Sequence, residues 1–254
     1  RPLTPSTWDG SGLHGRSEFL QAQQGLGDEL FFLRFATELK RHSAGTVIYR
    51  AGKKIASLLS RVPAIDHIAA PDDLPSSEDF VFSVGDLPRL IGAGHIGETP
   101  PPLTLMPLPE QLATMRAQLH MLGEPPYVGV TWRAGTRAEN SRRRTLYKEC
   151  PVLAMAHIFK ALPATFLILQ RNPTAEEIGM FAQTLGRPVH DLSALNEDLE
   201  QMLALLALLD DYVGVSNTNM HLRAGVGKTA RVFIPVPVDW RWMAEGKESP
   251  WFPG

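Results

Sequence analysis

Cysteine occurs once in the 254 residues, at Cys150. A single thiol excludes an intrachain disulfide and any Cys-rich zinc site, and it is the usage of a reducing compartment. No apolar run approaches the roughly 20 residues needed to cross a bilayer, and the start lacks the charged-then-apolar form of a signal peptide. The expected location is therefore cytoplasmic, with no membrane span. An excess of one charge is lacking too. Lys and Arg number 25 against 27 Asp and Glu, a formal net charge of -2, which points away from nucleic acid as a partner. His-Glu-x-x-His, paired cysteines and Gly-x-Ser-x-Gly are all missing, so zinc-protease and serine-hydrolase chemistry has no support. The chain opens on Arg1 rather than Met, as a fragment of a longer protein would.

What is present is an ordinary share of apolar residues, 44%, distributed as short strands alternating with amphipathic helices. Phe19 to Gln23, Thr46 to Tyr49, Ile65 to Ala69 and Phe80 to Val84 read as strands, with helices over Asp28 to Arg41 and Lys53 to Arg61. After Pro100-Pro101-Pro102 and a helix at Glu110 to Leu122 the series resumes. Strands are expected at Tyr127 to Trp132, Thr165 to Gln170, Pro188 to Asp191, Tyr212 to Val215 and Ala230 to Pro235. Helices are expected at Pro151 to Leu162, Thr174 to Leu185 and Glu197 to Leu209, the last apolar nearly all round and so buried on more than one side. This pattern is α/β: two Rossmann-like domains with parallel sheets facing across a cleft. The expected boundaries are 1–108 for the first domain, 109–124 for a linker helix and 125–254 for the second.

Two motifs fail on context. Gly92-Ala93-Gly94-His95-Ile96-Gly97 spells a dinucleotide fingerprint, but Thr99 and three prolines follow where a helix must open. Gly227-Lys228-Thr229 resembles the end of a Walker loop, yet position 222 is Leu where that motif needs Gly, and the order is helix then strand.

Three polar clusters instead fall after predicted strands, where open α/β sheets bind ligands. Gln24-Gly25-Leu26-Gly27-Asp28 follows the first strand, Arg133 with Arg142-Arg143-Arg144 follows the first strand of the second domain, and Ser216-Asn217-Thr218-Asn219 leads into a short helix carrying His221. Arginines beside a helix start suit a diphosphate, since the guanidinium fork and the helix N–H groups bond its oxygens from two sides. The same Ser, Asn and Thr residues equally suit a capped, buried helix. Asp28 has two readings as well, a helix cap or a general base. A Trp-rich segment, Trp240, Trp242 and Trp251 around Asp239-Trp240-Arg241-Trp242, is either core packing or the wall of a ligand site.

Gln24-Gly25-Leu26-Gly27-Asp28 with Phe35-Ala36, Val128-Gly129-Val130-Thr131-Trp132-Arg133, the stretch from Asp191 through Leu209 to His221-Leu222, and Asp239-Trp240-Arg241-Trp242 occur in the right order over nearly the whole chain. Together they resemble the glycosyltransferase region of bacterial tetratricopeptide-repeat proteins, which is similar to the ADP-heptose heptosyltransferases of glycosyltransferase family 9 and shares their GT-B fold.

The resemblance implies a metal-independent glycosyltransferase, hexosyl- or heptosyltransferase-like, moving a sugar from a nucleotide-diphosphate donor to a hydroxyl acceptor, carbohydrate or protein. It implies no cofactor beyond the donor, and a tetratricopeptide-repeat region elsewhere in the full-length chain. Asp28 falls on the catalytic base, with Gln24, Gly25 and Gly27 on the acceptor side. Arg133, Arg142, Arg144, Asn217, Thr218, Asn219 and His221 fall on the donor diphosphate, and Gln170 and Arg171 border the nucleotide. Such a site needs no metal, because fixed positive charges do the work of a cation. One position departs from the pattern: Ser216 stands where the heptosyltransferase-like sequences commonly carry Asp. The alternative is a non-catalytic module that keeps the fold for nucleotide binding or protein interaction.

Overall fold

The computed structural model describes residues 15–22, 25–42, 45–76, 79–93, 97, 99–134, 148–243 and 245–252. They fall into two compact units. One runs to Met106 and takes in Trp251 and Phe252, and the other runs from Pro107 to Ser249.

In the first unit β1 (Glu18–Gln21), β2 (Val47–Arg50), β3 (His67–Ala69) and β4 (Phe80–Ser83) form a parallel sheet in the order β3-β2-β1-β4. The helices α1 (Leu26–Leu33), α2 (Ala36–His42), α3 (Lys53–Leu59) and α4 (Leu87–Leu90) connect or follow these strands. Gly92, at φ +71, lies just past the end of α4.

The helix expected over Asp28 to Arg41 is two helices, broken at Arg34 and Phe35. Arg34 explains the break. Its guanidinium is buried at 2% exposure and donates to the carbonyl of Trp251 at 2.6 Å and towards that of Pro100 at 3.5 Å. The same group lies 4.4 Å from the centroid of the Phe31 ring and 4.7 Å from that of Phe252. Buried carbonyls and π-faces replace the water a cation loses. Trp251 and Phe252, which the sequence reading assigned to the second domain, thus pack in the first unit, against Phe31 at 5.7 and 5.9 Å between centroids.

The second unit opens with α5 (Pro109–Leu122). Its sheet has β5 (Tyr127–Val130), β6 (Thr165–Ile168), β7 (His190–Asp191), β8 (Asp211–Val215) and β9 (Arg231–Phe233), all parallel, in the order β7-β6-β5-β8-β9. Its other helices are α6 (Val152–Phe159), α7 (Ala175–Leu185), α8 (Leu199–Leu208) and α9 (Thr218–Gly225). Local chemistry sets the helix ends. Thr174 and Glu177 form a capping box on α7, which stops at Gly186 in the left-handed region, φ 77. Asp198 caps α8.

As its composition requires, α8 packs against both α5 and α9. Arg223 of α9, buried at 1% exposure, donates to the carbonyls of Leu206 at 2.8 Å, Leu209 at 3.3 Å and Asp210 at 3.3 Å. A cation at a helix C-terminus meets both the unpaired carbonyls and the negative end of the dipole. Among the described residues no helix is long and apolar enough to cross a membrane.

Arg34→Ala should lower stability by about 3 kcal/mol, the scale of a lost charged hydrogen bond plus its ring contacts. A lower urea midpoint with unchanged slope is the expected result.

Candidate functional site

The strand order of the second sheet reverses between β5 and β8, and at such a switch point the crevice beyond the strand ends is open to a ligand. Three side chains knit this place together. Tyr212 of β8 hydrogen-bonds Thr131, just past β5, at 2.8 Å, and its hydroxyl is 2.9 Å from Oδ1 of Asn217. Asn217 completes the ring by donating from Nδ2 to Thr131 Oγ1 at 2.8 Å. Its Oδ1 also accepts from the Met220 N–H at 3.2 Å, so Asn217 is the N-cap of α9.

The close approach depends on Gly214. A Cβ there would meet Thr131 Oγ1 at 2.1 Å and the Thr131 carbonyl at 2.7 Å. Burial raises the pKa of Tyr212 to about 12, against bonds to Thr131 and Asn217 and the charge of Arg223 that lower it.

The end of β5 is tied to β6 and α7 as firmly. Gln170, at 2% exposure, accepts from the backbone N–H groups of both Trp132 and Arg133 at 2.9 Å. Arg133 is buried, its guanidinium paired with Glu177 and donating to the Asn172 carbonyl at 2.7 Å. Its backbone bridges to Glu149, and the Ala134 N–H donates to the Lys148 carbonyl at 2.9 Å. The guanidinium expected to face a diphosphate therefore already holds a carboxylate. Asn219 is buried and its amide lies 3.4 Å from Asn196 Oδ1, while Asn196 donates to the Leu169 carbonyl at 3.0 Å. Arg171 is exposed and 3.7 Å from Glu197. His221 is buried one turn into α9, and Ser216 is buried just before the cap.

Among the described residues of the second unit, the start of α9 remains directed at an anion. The N–H groups of Thr218 and Asn219, first in α9, have no intrahelical acceptor, and the positive end of the helix dipole lies with them. Beyond it, Lys148 approaches Asp239 Oδ2 at 3.2 Å. Burial alone would raise the Asp239 pKa, but the Arg241 N–H and the charges of Lys148 and Arg241 hold it below the ordinary carboxylate value.

In the first unit the corresponding reversal lies between β1 and β4, and α1 begins just past β1. Gly25 is the N-cap, in extended conformation, and Gly27 sits in the first turn. Asp28 is the third residue of α1, half buried, its N–H donating to the Gly25 carbonyl at 2.9 Å. Its neighbour Glu29 is buried and accepts from the Tyr49 hydroxyl at 2.5 Å. Burial raises the pKa of Glu29, the Tyr49 bond opposes this, and the charge of Asp28 adds to the rise. The same burial and the Glu29 charge push the Tyr49 pKa up.

Gln24, Arg142 and Arg144 lie outside the described residues. Sequence reasoning passed over Tyr212, Glu177, Asn196, Glu29 and Tyr49. Two of these had a signal: a Tyr inside an apolar strand needs a partner for its hydroxyl, and a Gly two residues on marks a close backbone approach.

No family model matches the chain. Protein FlbA of Caulobacter vibrioides is 26% identical over 268 residues, an alignment covering 97% of this chain and 44% of that protein. The chain thus spans less than half the length of that curated relative. Among solved structures, a glycosyl transferase family 9 protein from Veillonella parvula superposes with a TM-score of 0.65 at 10% identity, over 87% of this chain and 80% of that one. The ADP-heptose LPS heptosyltransferase II of E. coli gives 0.57 at 14%, over 84% and 83%. The iron-containing dodecameric glycosyltransferase TibC of enterotoxigenic E. coli gives 0.60 at 14%, over 87% of this chain and 58% of that one. The chain shares the fold of these glycosyltransferases.

Gly214→Ala should force Thr131 away from β8 and cost about 1–3 kcal/mol, the usual price of overpacking. Thermal melts and the near-ultraviolet signal of Tyr212 read the change. Glu29→Gln keeps an acceptor for Tyr49 and removes the ionisation. Because the folded-state pKa of Glu29 is raised, its contribution is fully present below its unfolded value and is lost as pH rises through the folded one. The variant should therefore gain on the native protein as pH rises from 4 to 8, in urea unfolding at each pH; parallel curves would contradict this.

Proposed function

We propose that the chain is a glycosyltransferase which moves a sugar from a nucleotide-diphosphate donor to a carbohydrate or protein hydroxyl. The observation that carries the reading is the start of α9 at the β5/β8 switch point, in a fold shared with sugar-nucleotide enzymes. One of those, TibC, has been crystallised with ADP-D-β-D-heptose. Helix N–H groups at a strand end bind the oxygens of a diphosphate without needing a formal charge. In the step proposed, the acceptor oxygen bonds to the anomeric carbon as the bond from that carbon to the diphosphate breaks. Asp28 takes the acceptor proton, and the N–H groups of Thr218 and Asn219, with His221 close behind and the guanidinium groups of Arg142 and Arg144, stabilise the departing charge. Gly25, with open space where a Cβ would stand, and Gly27 lie on the acceptor side. Gln170 and Arg171 border the nucleotide, Gln170 by fixing the end of β5 on which it sits.

This transfer is metal-independent. TibC is described as iron-containing, so activity unchanged by prolonged chelation is part of the reading. A second reading has two observations in its favour. Arg133 is neutralised by Glu177 and the Asn217 amide is engaged by Tyr212, Thr131 and Met220, as they would be in a module that keeps the fold without the chemistry.

Calorimetry with ADP, GDP and UDP should show binding of at least one, weakened by His221→Ala and by the double change of Arg142 and Arg144 to Ala. Asp28→Ala should leave that binding intact and lower donor turnover by about 10²–10⁴-fold, the usual contribution of a positioned base. Absence of binding to all three sinks the transferase; binding with turnover indifferent to Asp28 leaves the non-catalytic module.

A further inference from the structure

The segment after β9 exposes more apolar surface than its surroundings. Ile234, Val236, Trp240 and Met243 are 43%, 91%, 49% and 41% exposed, four large side chains within ten residues. Isolated exposed apolar residues mean little, but a cluster marks an interaction surface. Trp240 stands apart because its mounting is rigid. Arg241 and Trp242 on its C-terminal side are buried at 8% and 7% exposure. The Trp242 N–H donates to the Asp239 carbonyl at 2.9 Å, and the Ser249 hydroxyl donates to the Arg241 carbonyl at 2.6 Å. The Arg241 guanidinium is 4.6 Å from the Trp240 ring centroid and reaches Asp239 Oδ2 at 3.3 Å. A half-exposed indole is thus held as a plate by a cation that is itself anchored.

Its position is at the ligand end of the second sheet. β9 runs parallel to β8, so the chain leaves it at the C-terminal edge, the edge where β5 and β8 diverge. The Lys148–Asp239 contact gives the same answer independently, because Lys148 is bonded through its backbone to Ala134, just past β5. Lys148 and Arg241 both reach the carboxylate of Asp239, so two cations stand beside the aromatic face. That combination suits a ligand with a flat ring next to phosphate.

We infer that Trp240 is a stacking platform for a ring of the sugar-nucleotide donor, base or sugar, an inference that rests on the function proposed above. A fixed plate loses little freedom on binding, and every base and most sugar rings offer a face to it. The sequence reading left the Trp-rich segment open between core and ligand wall. Trp242 is core, and Trp240 is the wall.

The experiment is calorimetry of native protein, Trp240→Phe and Trp240→Leu with ADP, GDP and UDP, and with ADP-glucose, GDP-mannose and UDP-N-acetylglucosamine. Phe keeps a π-face and should bind within about threefold of native, whereas Leu keeps bulk without the face and should bind about tenfold more weakly. Equal loss for a diphosphate and its sugar conjugate assigns the platform to the base; loss confined to the conjugate assigns it to the sugar. Leu binding as tightly as Phe overturns the platform while leaving the function standing. Native protein that binds none of the six overturns both. Because Trp240 is half exposed, all three proteins should melt within a few degrees of one another, and a Leu variant that loses affinity together with its fold is replaced by Trp240→His, for which the same Phe-like retention is expected.

Discussion

Everything at the ligand end of the second unit depends on how closely β8 can lie against the end of β5. Gly214 has no side chain, so Thr131 can drop its hydroxyl into that space and meet Tyr212 and Asn217. Each of those three groups would cost free energy if buried alone, and together they satisfy one another. The consequence reaches α9, because the same Asn217 oxygen that accepts from Tyr212 also caps the helix. Register of the sheet and orientation of the helix start are therefore one constraint. The axis of α9 is thereby fixed by a hydrogen bond to the sheet.

Much of this architecture was legible because it is periodic. Alternating short apolar runs and amphipathic stretches gave every strand of both sheets to within a few residues, and the parallel order follows from the helices between them. What periodicity could not show is where a helix breaks for a distant partner. Arg34 lies on a continuous helical pattern, and its partners at the turn include the carbonyl of Trp251, more than two hundred residues away. The site was legible as a set of positions and illegible as a set of contacts. Glycines, Asp28 and the Ser-Asn-Thr-Asn cluster fall where the strands end, as spacing indicates. Whether Arg133 offers its guanidinium outward depends on Glu177, which no local pattern connects to it.

That pairing changes how the proposed diphosphate site has to work. An arginine already holding a carboxylate contributes little net charge to its surroundings. Arg133 thus acts on the site through geometry: with Gln170 it holds the ends of β5, β6 and α7 in one frame. Recognition by N–H groups and a helix dipole is directional where a formal cation is not. It selects for the placement of oxygens more than for total charge.

Ser216 belongs to the same logic. It is buried immediately before the cap of α9, at the positive end of the helix. A carboxylate in that place would itself be drawn to the first-turn N–H groups and would compete with a ligand phosphate for them. With serine at the position, the helix start keeps its attraction for an incoming anion, which compensates in part for the neutralised Arg133. On the proposed function, serine at 216 and an arginine paired with Glu177 shift the electrostatic balance of the crevice in opposite directions, the first leaving the helix start open to an anion and the second withdrawing a cation.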